Sequence, residues 1–347
     1  MPIVDYTPEL FGALQHMVEQ LERTINLAHR PFVDYYYASH NRCKLYLYLS
    51  DSGTVLGTLG RELVRFEYKS EAITVRFGSN WYSRARGVGR QLSTFSAEIN
   101  PNSIGVMFMA SKAALQRLQA RGWIFVQGVR QYFLNGPCSL SPGHPWWRRG
   151  ANAMIRNLAG KKISNYATRI PSDVIAGMAV REERSYSQDL LPTRSPFTFR
   201  LAPTIEYLSW RYNLSLGFTQ YRLFRIVAQG TSVGYVILNE SPDQIVVAQC
   251  DGEDSNALAY GILLIILEIA RDDQKPRTVF LACCHRGMRH VFESFGFRHR
   301  PGKDDLPFAF RTPPPGFDAA PDTSNWLINY DWADNGFGAP FLDRVTC

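Results

Sequence analysis

The feature that most restricts this chain is a repeat. Ser111 to Trp123 and His285 to Phe297 each read as a short helix ending in glycine and an aromatic residue, and they stand 174 residues apart. Gly57 and Gly234, each placed at a strand hairpin, stand 177 residues apart. Two separate local features that share nearly one offset point to a duplicated domain. Length agrees, because 347 residues exceed what one hydrophobic core ordinarily serves, whereas two domains of usual size account for them.

Periodicity fills in the copies. Leu10, Leu14, Met17, Val18, Leu21 and Ile25 recur at helical spacing over residues 9–25. Leu45 to Leu49 and Val55 to Leu59 flank Asp51-Ser52-Gly53 as a strand pair, and Ile73 to Phe77 follows as a further strand. A glycine turn at 84–90 leads into a helix to about Ala97, then a strand (Ile104 to Met109), a helix (Ser111 to Arg121) and a strand (Trp123 to Leu134). Residues 135–200 are rich in proline, glycine and serine and read as a connector with one helix near 146–159. Beyond it come a hairpin around Gly230, a strand at Ile245 to Ala248, a helix at 256–271, a strand at Thr278 to Cys283 and a helix at 286–295. The expected partition is an N-terminal domain (1–138), a connector (139–200) and a C-terminal domain (201–347) of layered α/β (α+β) type.

Composition excludes several classes. A hydrophobic share of 45% with 20% charged residues is that of a folded globular chain. The start, Met1-Pro2-Ile3-Val4-Asp5, has no basic region before an apolar core, so a cytoplasmic protein is expected. The most apolar run, Ala257 to Leu267, is too short to span a membrane and reads as a buried helix. Six cysteines without C-x-x-C spacing suit reduced thiols, and no metal site is expected. A formal charge of +7 favours a polyanionic partner, with CoA phosphates, a nucleotide-sugar, an acidic carrier protein or RNA all open.

The turn Arg84-Ala85-Arg86-Gly87-Val88-Gly89-Arg90 carries the chemistry. Glycines let a backbone turn approach an anion without a Cβ in the way. N–H groups at the start of the following helix then point at phosphate oxygens, aided by the helix dipole. Arg84, Arg86 and Arg90 add positive charge around a diphosphate.

Three strands, this turn and the later Ser111 to Trp123 unit together resemble the GNAT superfamily of acyl-CoA N-acyltransferases. Arg84, Gly87 and Gly89 match its R/Q-x-x-G-x-G/A turn, and Ala114, Gly122 and Trp123 match its N-x-x-A-x-x-L-Y-x-x-x-G-F helix. Ser111 stands where the family has asparagine, and Leu118 where it often has the tyrosine that protonates the leaving thiolate. The resemblance implies two tandem GNAT-like domains, each a mixed, mostly antiparallel sheet flanked by helices. It also implies acetyl-CoA or another acyl-CoA as co-substrate and direct attack by an amine in a ternary complex. The acyl oxygen would meet a backbone N–H near Ser79 or Asn80. Glu62 and Glu67 on the neighbouring strand are candidate bases, and Tyr82 and Tyr132 are candidate replacements for the missing acid.

In the second copy, Asp251, Gly252, Glu253 and Asp254 replace the arginines and the Gly-x-Gly, which argues against a second CoA site. His285, Arg286, Arg289 and His290 share one helix, with His285 a candidate base and the helix a candidate acceptor face. Leu208 to Tyr212 and the tail Trp326-x-x-x-x-Asp331-x-x-Asp334 resemble tandem GNAT proteins of polysaccharide-biosynthesis clusters, with FemABX and CelD-like proteins sharing the layout. The acceptor expected on that basis is an amine on an amino sugar or nucleotide-sugar. The alternatives are a FemABX-type transferase that uses aminoacyl-tRNA, or a GNAT-fold binding protein without catalysis. An acyl carrier protein or tRNA is then the macromolecular partner.

Overall fold

The structure, a computed structural model, describes residues 2–21, 25–109, 112–135, 163–271, 273, 276–300, 305–311 and 321–332. The chain divides into two compact units. Unit 1 takes Met1–Val126, Pro307–Pro321 and Trp332–Cys347, and unit 2 takes Gln127–Leu306 and Asp322–Asp331. Each holds a mixed, mostly antiparallel sheet with helices, the layered α/β class expected. The partition differs from the expected one, since the first break falls after Val126 and C-terminal segments return to unit 1.

In unit 1 the strands are β1 (Ile3–Asp5), β2 (Cys43–Leu49), β3 (Val55–Tyr68), β4 (Glu71–Ser83), β5 (Ile104–Phe108) and β6 (Ile124–Val126). With Phe308–Phe310, β14 by its place in the chain, they lie in the order β1-β2-β3-β4-β5-β14-β6. The β4–β5 pair is parallel and its neighbours are antiparallel. One face buries Val88 and Leu92 of the helix Val88–Glu98 against Tyr46, Tyr48 and Leu59. On the other, Trp332 packs against Phe66, Phe77, Phe108 and Phe308. The first helix, Phe11–Glu19, is shorter than its sequence pattern but buries the predicted Leu14, Met17 and Val18. A π-helical turn, Asp34–Ala38, extends the helix Arg30–Val33 and buries Tyr36 and Tyr37.

Unit 2 contains β7 (Arg130–Leu134), β8 (Met178–Glu183), β9 (Phe199–Leu201), β10 (Tyr221–Ala228), β11 (Thr231–Ser241), β12 (Gln244–Gly252) and β13 (Thr278–Cys283). Its sheet runs β7-β13-β12-β11-β10-β8, with β12 and β13 parallel. The helix Ser255–Ile269 buries Leu258, Ile262, Ile265 and Ile266 in the core, each side chain contributing ~1.5–3 kcal/mol.

The expected strand Trp123 to Leu134 is two strands in two sheets, broken where Gly128 takes φ +86°. The connector supplies β8, an edge strand whose Glu182 and Glu183 pair with Arg222 and Arg225 of β10. Its pattern is too polar to read as a strand. The helix expected near 146–159 lies outside the described residues. Gly57 and Gly234 stand inside strands rather than at hairpin turns. A Cβ on Gly57 would meet Val88 Cγ1 at 2.6 Å and the Tyr82 carbonyl at 2.9 Å, and one on Gly234 would meet the Asp251 carbonyl at 2.6 Å. Both glycines therefore admit the end of the adjacent strand, which is where the turn begins. No helix among the described residues is long and apolar enough to cross a membrane.

Candidate functional site

Near its C-terminal end β4 carries a bulge. Gly60 pairs with Ser79 and Thr58 with Tyr82, so Leu59 alone faces Asn80 and Trp81. Asn80 has φ +46°, a left-handed conformation that asparagine tolerates better than most residues. Side chains hold it in place. Asn80 Nδ2 donates to Tyr37 Oη at 2.8 Å, Thr58 Oγ1 donates to the Asn80 carbonyl at 2.7 Å, and Tyr37 Oη lies 3.1 Å from Ser79 Oγ. A Cβ on Gly60 would fall 2.6 Å from Tyr37 Oη, so this network depends on a glycine there. The expected oxyanion residues Ser79 and Asn80 thus sit in a built irregularity.

Just before the bulge β4 parts from β5. Their pairing stops at Phe77 and Val106, while β4 runs on to Ser83 and β5 turns to β14. From Gly78 to Ser83, β4 has β3 as its strand partner. Arg84 to Arg90 follow directly, and Gly87, at φ +88°, is the N-cap of the helix Val88–Glu98 with no side-chain cap bond. A Cβ at Gly87 would meet nothing within 4 Å. Arg84, Arg86 and Arg90 are exposed, and none forms an ion pair among the described residues. Ala85 accepts from Ser83 Oγ at 2.8 Å, while Val88 is buried and anchors the helix. Trp81 Nε1 donates to the Gly89 carbonyl at 3.1 Å, fixing the turn against the bulge. An uncapped helix start, open space and three unpaired arginines fit a diphosphate.

The candidate acid–base groups separate by position. Glu62 is buried on β3 and accepts from Tyr36 Oη at 2.7 Å. The two-residue alternation of β3 puts it on the same face as Gly60 and Thr58, and the register places Tyr82 there opposite Thr58. Glu67 pairs with Ala72 near the hairpin end, on the order of 20 Å from Gly60 at ~3.3 Å per residue. It is not brought to the bulge. Tyr132 lies in unit 2, donating to Glu293 Oε1 at 2.7 Å, and burial followed by that bond raises its pKa far above the ordinary phenol value. It is a packing residue of the second core. Leu118, in the family's tyrosine position, is buried. Ser111 lies outside the described residues. Tyr36 and Tyr37 were missed by sequence, because a run of three tyrosines carries no spacing signal.

Unit 2 closes the corresponding features. Asp251 is not an exposed acid: it is buried at the end of β12 and paired with Arg200. Glu253 accepts from the Thr193 N–H and hydroxyl at 2.9 and 2.7 Å, and Asp254 caps the helix Ser255–Ile269 through the Ala257 N–H at 2.7 Å. The helix start that unit 1 leaves open is here filled by the chain's own carboxylate. The β12 edge is occupied as well. Asn329 bonds both backbone groups of Cys250, at 3.0 and 3.2 Å, and the Asp331 N–H donates to the Ala248 carbonyl at 3.1 Å. The Leu208 to Tyr212 motif and the tail motif meet in this unit, since Arg211 Nη2 lies 2.6 Å from Asp331 Oδ1 with Tyr221 Oη on the other oxygen at 2.9 Å.

His285 is the N-cap of the helix Arg286–Phe295, its Nδ1 accepting from the Met288 N–H at 3.3 Å. Burial, and then the Arg289 charge, hold its pKa below the ordinary imidazole value. The ring fills a structural place instead of the open position a base requires. Cys283 and Cys284 are buried, and burial pushes both thiols up, Cys283 to about 12. Among the described residues no cluster of three His, Cys, Asp or Glu side chains forms a metal site.

Two mixed sheets, one of which parts at a bulged strand that leads through a glycine turn into a helix, define the class of fold, and solved structures share the overall fold. No protein-family model and no curated protein sequence matches the chain. It is similar to a tandem GNAT protein of the clavulanic acid biosynthesis pathway (TM-score 0.52, 13% identity), over 89% of this chain and 97% of that one. It is also similar to GCN5-related N-acetyltransferases from Anabaena variabilis ATCC 29413 (0.57, 10%, 89% and 72%) and from Kribbella flavida (0.52, 13%, 89% and 70%). The chain thus has a tandem GNAT-like fold.

Proposed function

We propose that this chain is an acyl-CoA-dependent N-acyltransferase with one donor site, in unit 1. The observation that carries the reading is the contrast between the two helix starts: Gly87 leaves one open, and Asp254 fills the other. Arg84, Arg86 and Arg90 hold the donor diphosphate with the N–H groups of the turn. The edge of β4 past Phe77, beside which no second strand pairs among the described residues, takes the amide-bearing arm of the donor as an added strand. At the bulge, backbone N–H of Ser79 or Asn80 polarises the thioester carbonyl. The amine nitrogen attacks that carbon, the C–S bond breaks, and the nitrogen's proton passes to Glu62, directly or through Tyr36 Oη. A hydroxyl of Tyr82 or Tyr37 gives its proton to the thiolate, in place of the tyrosine that Leu118 replaces.

For the acceptor we propose an amine on an amino sugar or nucleotide-sugar, by analogy with the tandem GNAT proteins that the tail motifs resemble. The test is thiol release from acetyl-CoA and longer acyl-CoAs with a panel of amino sugars and other amines. Release with an amino sugar is the expected result. Release with other amines alone removes the acceptor assignment, and CoA binding without release of thiol in any case supports a binding protein in place of an enzyme.

A further inference from the structure

Unit 2 contains a charged groove. Arg130 of β7 and Arg286, Arg289 and His290 of the helix Arg286–Phe295 line it together with Glu293, in an opening of about 490 Å³. That volume is in the range of small-molecule sites. The lining thus holds three arginines from two elements and one carboxylate. The carboxylate is already engaged, since Glu293 accepts from Tyr132 Oη and so ties β7 to the helix.

Arg130 also bonds the Tyr132 hydroxyl, and two observations set the helix arginines apart. Among the described residues Arg130, Arg286 and Arg289 form no ion pair, and Arg289 Nε is buried without a hydrogen-bond partner. An unpaired buried donor is costly. The helix also carries its cations at the wrong end: Arg286 and Arg289 lie in its first turns, where the dipole favours acids, and that turn has no acidic residue. Guanidinium groups that line one open volume, next to a positive helix end, suit oxyanions, which they can bind bidentately.

We propose that this groove binds the phosphate or diphosphate group of a small molecule. Size favours that class over a nucleic acid, which would need a basic stripe longer than these five lining residues. The site is separate from the turn at Arg84 to Arg90, and binding to it does not require acyl transfer in unit 1.

Because the turn of unit 1 also suits a diphosphate, the test uses the full chain carrying Gly87→Glu. Calorimetric titration of this variant with inorganic pyrophosphate and with uridine diphosphate is compared with the same variant bearing Arg286→Gln and Arg289→Gln. The expected result is binding of at least one probe to G87E, weakened about tenfold or more by the arginine substitutions. Preference for uridine diphosphate would indicate a nucleotide, and equal binding a phosphate group alone. Removing cations from a helix start does not weaken the helix, so the folded state survives and thermal unfolding checks it. The proposal is overturned if neither probe binds G87E, or if affinity is unchanged by R286Q/R289Q. It is equally overturned if a short single-stranded oligonucleotide binds more tightly than both probes. Loss of CoA binding in G87E with retained pyrophosphate binding separates this site from the donor site.

Discussion

At the scale of single residues the account rests on Glu62. It is a buried carboxylate on the bulge face, tied to Tyr36 Oη at 2.7 Å. Glu62→Gln keeps the shape and removes the base, so thiol release is expected to fall by ~10²–10⁴-fold while acyl-CoA affinity stays unchanged. Steady-state rates with calorimetry check both halves, and an unaltered rate removes Glu62 from the chemistry. His285 gives a prediction in pH. Its folded pKa lies below the unfolded value, so the unfolded chain takes up this proton first. The contribution to stability is complete above about pH 6.5 and is lost as pH falls below it. Asparagine also caps helices. His285→Asn should therefore flatten the decline in melting temperature between about pH 7 and 5.5, and an unchanged decline would place the titration elsewhere. Sequence separated these residues poorly. Glu62 and Glu67 look alike as glutamates in an apolar run, and the register of β3 against β4 alone shows that Glu62 faces Phe77 and Glu67 faces Ala72 near the hairpin end.

Among elements, the two helix starts form a pair of opposites. Asp254→Ala removes a cap bond and is expected to cost ~1 kcal/mol of stability, within the ~0.5–2 kcal/mol range of N-cap losses. Acyl-CoA affinity should not change, because that helix is not the donor's. Chemical denaturation with parallel CoA titration measures both, and weakened CoA binding would mean that unit 2 takes part in donor recognition. The glycine turn was legible from sequence because its chemistry is local: backbone freedom, positive charge and a following helix lie within seven residues. The roles of the acids in the counterpart were not legible, for the opposite reason. Asp251 acts through Arg200, and Glu253 through Thr193, partners that no local pattern names.

For the whole molecule, the repeat was legible and the path of the chain was not. Gly53 and Gly230, the turn residues of the two hairpins, both take φ +80° and share the 177-residue offset of Gly57 and Gly234. Interleaving left no such mark, since β14 is only Phe308-Ala309-Phe310. That short strand nevertheless lies between β5 and β6, pairing Phe308 with Phe108 and Val126. A fragment ending at residue 138 lacks it and leaves two strand edges open. Such a fragment is expected to aggregate or to lose cooperative unfolding, which circular dichroism on heating would show. A cooperatively folded, CoA-binding fragment would mean that unit 1 does not need β14.

The central claim is a single donor site at Gly87, and calorimetric titration of acetyl-CoA into the full chain tests it most directly. Gly87→Asn is the control for the left-handed backbone, which asparagine tolerates, and Gly87→Glu adds a charge where the diphosphate belongs. The account predicts one acetyl-CoA per chain, kept in G87N and weakened about tenfold or more in G87E. Two equivalents per chain, or an unchanged affinity in G87E, would contradict it.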